Sequence, residues 1–200
     1  KGAPLIVTKA HIADGTAQAI ICNSGNANNC NANGIEIAEQ MSDLLAAQMN
    51  IASDDVVVAS TGVIGQPLDI SPIKAGIPLL VSGLAADGSL NAAEGIMTTD
   101  TRVKEIAVSF TVGGTECRIG GIAKGSGMIH PDMATMLVFI TTDCAVSADM
   151  LQKALSTDIA DTFNMVSVDG DTSTNDMVTV LANGMAGNTE ITCDGADFDA

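Results

Sequence analysis

Residues 103–140 read VKEIAVSFTVGGTECRIGGIAKGSGMIHPDMATMLVFI, and three successive strands can be traced through them. From Val103 to Val112 apolar residues alternate, which puts Ile106, Val108, Phe110 and Val112 on one face, and Gly113-Gly114 turns the chain into a second strand through Cys117 and Ile119. That strand delivers a loop from Lys124 in which Gly125, Gly127 and Pro131 oppose regular structure. An unbroken apolar run from Met136 to Ile140 then reads as a third, buried strand. Strands joined by a two-residue turn must be antiparallel, whereas a doubly wound parallel sheet needs a crossover at every connection. The expected fold is therefore α/β, a layered sandwich built on a mixed or antiparallel sheet.

The flanking sequence supplies the other layers. Val56, Val57, Val58 and Ala59 form a β-branched run suited to a strand buried on both faces, and it ends in the glycine-containing turn Ser60 to Gly65. Between Ile35 and Met49 the apolar positions Ile35, Ala38, Met41, Leu45 and Met49 recur every three or four residues, which predicts an amphipathic helix. Leu5–Val7 and Ala19–Cys22 read as two short strands of a hairpin turned at Asp14-Gly15. The spacing also predicts a helix capped by Ser71 that Pro78 must break, a short helix opened by an Asn91/Glu94 capping box, and a helix from Ala148 to about Phe163 capped by Ser147. A polar loop, 166–176, precedes a last strand, Met177–Leu181.

Composition removes several function classes. With 8 basic against 24 acidic residues the formal charge is −16, which repels a phosphate backbone, so nucleic acid is not expected as a partner. No apolar stretch approaches the roughly 20 residues of a membrane span. The first residues carry no signal-peptide pattern, and the chain is expected to begin mid-domain. Five cysteines, an odd number with no C-x-x-C pair, argue against a disulfide framework or a zinc site and for a reducing cytoplasm. No metal is expected: an EF-hand register over 169–180 would put Thr174 at the glycine position and Val180 at the bidentate glutamate position.

Three features carry chemistry. Thr135 stands where a glycine- and proline-containing loop meets a packed strand, so its hydroxyl has little freedom and can be aimed at the Ala134 carbonyl or at a substrate carbonyl; taken alone, a threonine at a strand start is usually just a β-branched strand residue. Thr61-Gly62 follows a buried strand, a setting in which a backbone N–H is presented beside a hydroxyl. Lys124 is one of few basic residues and can face a carboxylate.

These features meet in a resemblance. The stretch 124–137, KGSGMIHPDMATML, resembles the self-cleavage motif of the ornithine acetyltransferase family, the bifunctional glutamate and ornithine N-acetyltransferases of arginine biosynthesis. Residues 22–28 (CNSGNAN), 60–65 (STGVIG), 97–101 (MTTDT) and 168–176 (VDGDTSTND) resemble its other signatures in the same order. Two positions depart from the pattern: Asp132 stands where asparagine is common, and 29–33 (NCNAN) differs from the usual continuation of its loop.

The resemblance implies a self-processing, N-terminal-nucleophile-like fold of the ornithine acetyltransferase and aminopeptidase type, here truncated. Residues 1–200 would form one partial catalytic domain, with 1–134 as the α-chain portion and 135–200 as the start of the β chain. Thr135 would cut the Ala134–Thr135 bond and then carry an acetyl group from N-acetylornithine to glutamate by ping-pong kinetics. Thr61 and Gly62 would form the oxyanion hole, and Thr98, Lys124 and Thr135 would bind substrate. No cofactor is implied, with acetyl-CoA open as a further acetyl donor. No membrane partner is implied, and the assembled protein would be a cytoplasmic heterotetramer of two α and two β chains. A self-cleaving aminopeptidase or amidohydrolase could use the same groups but would pass the acyl group to water. A non-catalytic interaction domain would leave the chain whole.

Overall fold

The computed structural model describes residues 1–127 and 136–200. In chain order its main elements are α1 (Ala3–His11), β1 (Ala19–Asn23), α2 (Gly34–Met49), β2 (Val56–Ser60), α3 (Ser71–Ser82), α4 (Ser89–Gly95), β3 (Lys104–Val112), β4 (Thr115–Lys124), β5 (Leu137–Thr142), α5 (Ala148–Asp158) and β6 (Met177–Ala182). The central hairpin forms as its alternation and Gly-Gly turn require, with Val112 opposite Thr115 and Lys104 opposite Ala123. β5 returns antiparallel to β4, and α5 carries the chain over to β6, which pairs parallel with β5. The sheet, in the order β3-β4-β5-β6, is thus mixed.

β2 explains how the layers stack. All five of its residues are buried. Val56 and Val58 face Val7, Ala38, Met41, Leu45 and Ile77 of three helices. Val57 and Ala59 face Leu137, Phe139 and Met177 of the four-stranded sheet. A strand that meets a different apolar layer on each side has no polar face to alternate, hence its unbroken valines. Met41, fully buried under it, contributes about 1.5–3 kcal/mol by leaving water.

The N-terminal hairpin is not formed. Leu5–Val7 belongs to α1, with Pro4 in its first turn and Lys9 and His11 in its last, and β1 pairs in parallel with β2, Ala19 opposite Val56. The physical reason is long-range. Thr8 Oγ1 both donates to Val58 O and accepts from Val58 N–H, at 2.8 Å each, and His11 Nδ1 donates to Val56 O at 2.9 Å. α1 therefore satisfies the backbone groups of β2 that β1 leaves open, a task no local pattern announces.

Five smaller expectations are corrected. On α2 the buried stripe runs through Ile37, Ala38, Met41, Leu45 and Ala46, leaving Ile35 39 % exposed. Pro78 lies inside a continuous α3, since it deletes a single donor while buried Ile77 anchors the turn and the Gly83 N–H closes on Leu79 O and Leu80 O. α4 starts at Ser89, so Asn91 and Glu94 are helical residues, not a cap. α5 ends at Asp158, short of Phe163; its Ser147 cap is present, with Oγ accepting from Met150 N–H at 3.4 Å. On β3 the expected apolar face is largely uncovered: Ile106 is 70 % exposed, and Val112 alone is buried.

Among the described residues no helix is long and apolar enough to cross a membrane.

Candidate functional site

β2 ends by presenting Thr61 and Gly62, and a second loop holds them. The Thr61 N–H donates to Asn23 O at 2.8 Å. Beyond it, residues 25–29 lie along 63–65, with Ala27 N–H on Val63 O at 2.9 Å and Gly65 N–H on Asn29 O at 3.1 Å. Gly62 has φ +126°, and a Cβ there would stand 2.4 Å from the Gly25 carbonyl carbon, so only glycine allows the two loops to touch. Among the described residues nothing accepts a hydrogen bond from the Gly62 N–H.

Lys124 closes β4 and is 3 % exposed. Its Nζ donates to Thr61 Oγ1 and to Thr98 Oγ1, at 3.2 Å each. An ammonium has three donors, and the third has no acceptor among the described residues. Burial lowers the Lys124 pKa, a shift that the Asp100 carboxylate opposes. Cys22 is half-buried, and desolvation pushes its thiol up to about 11, so it stays a thiol. Because Thr61 Oγ1 accepts from the ammonium, its own proton remains available for another acceptor.

Asp100 ties the Thr98 segment to the end of β4. Its Oδ1 accepts from Lys104 Nζ at 2.6 Å and from the Gly125 N–H at 2.8 Å. Burial works against its charge, but these bonds and the Thr98 N–H hold its pKa below the ordinary value. Asn175, buried, donates from Nδ2 to Ala27 O at 2.6 Å and to Ser60 O at 2.9 Å, drawing the 168–176 loop onto the other two. Asp176 Oδ1 accepts the Met136 N–H at 2.8 Å, and burial pushes this carboxyl up to about 6.

Of the residues singled out from the sequence, Thr61, Thr98 and Lys124 are therefore brought into mutual hydrogen bonding, with Gly62 adjacent. Ala134 and Thr135 lie outside the described residues. Asp100, Asn175 and Asp176 were not identified as site residues; each sits within a quoted signature, yet reads as one more polar loop residue. A cavity of about 540 Å³ lies elsewhere, between 12–17, α5 and β6, and touches none of these groups. Chemically, the cluster offers two adjacent donors, the Thr61 hydroxyl and the Gly62 N–H, beside a buried cation. That arrangement suits an anionic tetrahedral intermediate on a carboxylate-bearing substrate.

A sequence model described as the ArgJ family matches residues 1–200. The arginine biosynthesis bifunctional protein ArgJ of Symbiobacterium thermophilum is 49 % identical over 201 residues, covering all of this chain and 50 % of that protein. Its namesake in Caldanaerobacter subterraneus subsp. tengcongensis is 48 % identical over 200 residues, with the same coverage. The chain spans about half the length of these curated relatives. Among solved structures, the arginine biosynthesis bifunctional protein argJ from Bacillus halodurans superposes with a TM-score of 0.61 at 39 % identity, over 68 % of this chain and 71 % of that one. Ornithine acetyltransferase from Mycobacterium tuberculosis, complexed with ornithine, gives a TM-score of 0.57 at 30 % identity, over 66 % and 70 %. The mixed-sheet α/β sandwich is thus an architecture that the chain shares with both of these structures.

Proposed function

The chain belongs to the ArgJ family, and from that premise we propose that it carries the acetyl-transfer centre of an arginine-biosynthesis enzyme that moves an acetyl group from N-acetylornithine to glutamate. The observation that carries this reading is the buried Lys124 ammonium held between Thr61 and Thr98, next to an N–H of Gly62 that no described residue engages.

The chemistry begins with Thr135. Its Oγ attacks the Ala134 carbonyl, the peptide becomes an ester, and water releases 1–134 from a chain that now starts with Thr135. An α-amine ordinarily titrates near 7.7–8.0, close enough to working pH for the freed group to take the proton of its own hydroxyl. Oγ then attacks the acetyl carbonyl of N-acetylornithine. The oxyanion forms against the Gly62 N–H and the Thr61 hydroxyl, whose proton the Lys124 bond leaves free, and each such donor is worth about 2.7–4 kcal/mol in the transition state. Ornithine leaves, and the amine of glutamate attacks the acetyl ester. The third Lys124 donor is assigned to the α-carboxylate common to both substrates. Acetyl-CoA, if used, enters as an alternative donor to the same hydroxyl. The assembled enzyme is assigned two chains of 1–134 and two starting at Thr135, and its compartment, in keeping with five free cysteines, is the reducing cytoplasm.

A chain of full family length incubated with N-acetylornithine and glutamate should yield acetylglutamate. Acetate alone would replace the transferase with a hydrolase, and an inert chain would sink both. Within that assay Lys124→Met should raise KM for N-acetylornithine by roughly ten- to a hundredfold, since a hydrogen bond to a charged group contributes about 1.5–3 kcal/mol. An unchanged KM would take the carboxylate away from Lys124.

A further inference from the structure

Met136 is held on both sides of its peptide by two consecutive residues. Its N–H donates to Asp176 Oδ1 at 2.8 Å, and its carbonyl accepts the Met177 N–H at 3.0 Å, which extends the β5–β6 ladder one residue upstream of the Leu137–Met177 pair. The other carboxylate oxygen, Asp176 Oδ2, is shielded from solvent and has no hydrogen-bond partner among the described residues. A buried oxygen without a donor is costly, and burial accordingly pushes this acid up to about 6, with only the Met136 N–H opposing the shift. Of the strands flanking β5, β6 brings Asp176 and β4 brings Lys124, opposite Leu137.

Covalent geometry says what can reach Oδ2. The nitrogen of residue 135 is joined to the Met136 nitrogen through only the N–Cα, Cα–C and C–N bonds, so the two stay within about 4 Å at any ψ. A carboxylate anchored on the Met136 N–H is therefore within reach of the α-amine at Thr135. We propose that Asp176 is a positioning residue that receives the α-ammonium group of Thr135 on Oδ2 once the bond to Ala134 is broken. The inference rests on the reading of Thr135 as a new N-terminus. It adds a partner for the base. When the α-amine takes the Thr135 hydroxyl proton it becomes a cation, and Asp176 stabilises that cation and fixes its direction. Before cleavage the nitrogen is an amide without charge, so Asp176 has no ion to hold and the cut does not need its charge.

The test uses a chain of full family length that has cleaved itself. Labelling the Thr135 α-amine over a pH series, read by mass spectrometry of the N-terminal peptide of the second chain, gives its pKa. Asp176→Asn keeps an oxygen for the Met136 N–H and removes the charge. The variant is expected to cleave normally, to show an α-amine pKa lower by about one unit or more, and to move the acid limb of kcat/KM down by the same amount. A purely structural role would move neither. An unshifted amine and acid limb would overturn the proposal, and so would an uncut Asp176→Asn chain, which would place the residue in the cleavage step. Should the variant fail to fold, wild type alone decides: an amine pKa above the ordinary 7.7–8.0 range supports the pairing, and one at or below it overturns it. Finding no α-amine at Thr135 in wild type is a separate result, and removes the reading beneath.

Discussion

Thr135→Ala is expected to leave the chain uncut and to lower acetylglutamate formation by a factor on the order of 10⁴ or more, the scale seen when an acyl-transfer enzyme loses its nucleophile. Cut at Ala134, the sequence gives pieces of 134 and 66 residues, which intact-mass measurement separates from the 20.2 kDa whole. The alanine variant alone does not tell a lost hydroxyl from a lost β-branched side chain, so Thr135→Val and Thr135→Ser belong beside it. If Thr135 serves only packing, valine is nearly isosteric and should cut and transfer normally. If the hydroxyl is the nucleophile, valine must behave as alanine does, and serine must retain both cutting and transfer. A valine variant that forms acetylglutamate would end the proposed mechanism, whatever the family assignment.

What the sequence disclosed and what it hid follow one physical line. The β3–β4 hairpin, α2 and β2 were legible because their causes are local: a Gly-Gly turn, a helical apolar period and a run of valines. α1 was not. Leu5–Val7 has the look of a short strand, and what makes it a helix is that Thr8 and His11 are needed on the backbone of β2, some fifty residues away. The parallel pairing of β1 with β2 was hidden for the same reason.

The site divides likewise. Thr61, Gly62, Thr98 and Lys124 were found through motifs, and the structure brings three of them together at one ammonium. Asp100, Asn175 and Asp176 escaped because an acidic or amide residue in a polar loop has no signature of its own until its burial is known. Asp176 did carry one usable sign, its place immediately before an apolar strand, where a carboxylate has to enter the protein with its backbone. Asn175 shows why such residues gather at this centre. The loop after β1 and the end of β2 bring backbone carbonyls to one point, and a side-chain amide is the compact group that can donate to two of them at once.

Gly62→Ala is expected to combine the largest structural and the largest catalytic loss of any single methyl added here. The new Cβ would meet the Gly25 carbonyl carbon at 2.4 Å, its oxygen at 2.5 Å and the Asn26 nitrogen at 2.8 Å, all backbone atoms that no rotamer change can move. The φ of +126° adds strain that alanine rarely bears. Overpacking and strain of this kind each cost roughly 1–3 kcal/mol, so thermal unfolding should come earlier by a matching amount. The loops can relieve the contact only by separating, which displaces the Gly62 N–H from the oxyanion position and should lower kcat by about 10²–10³-fold. KM should change less, because Lys124 and Thr98 bind from β4 and from the segment after α4. Gly65→Ala supplies the comparison: its φ of +75° is also left-handed, but nothing lies within 4 Å of the added carbon. It should show the strain in thermal unfolding and keep its kcat. If Gly62→Ala, once folded, also turns over at the wild-type rate, the Gly62 N–H does not hold the oxyanion, and Thr61 with Lys124 must stabilise it unaided.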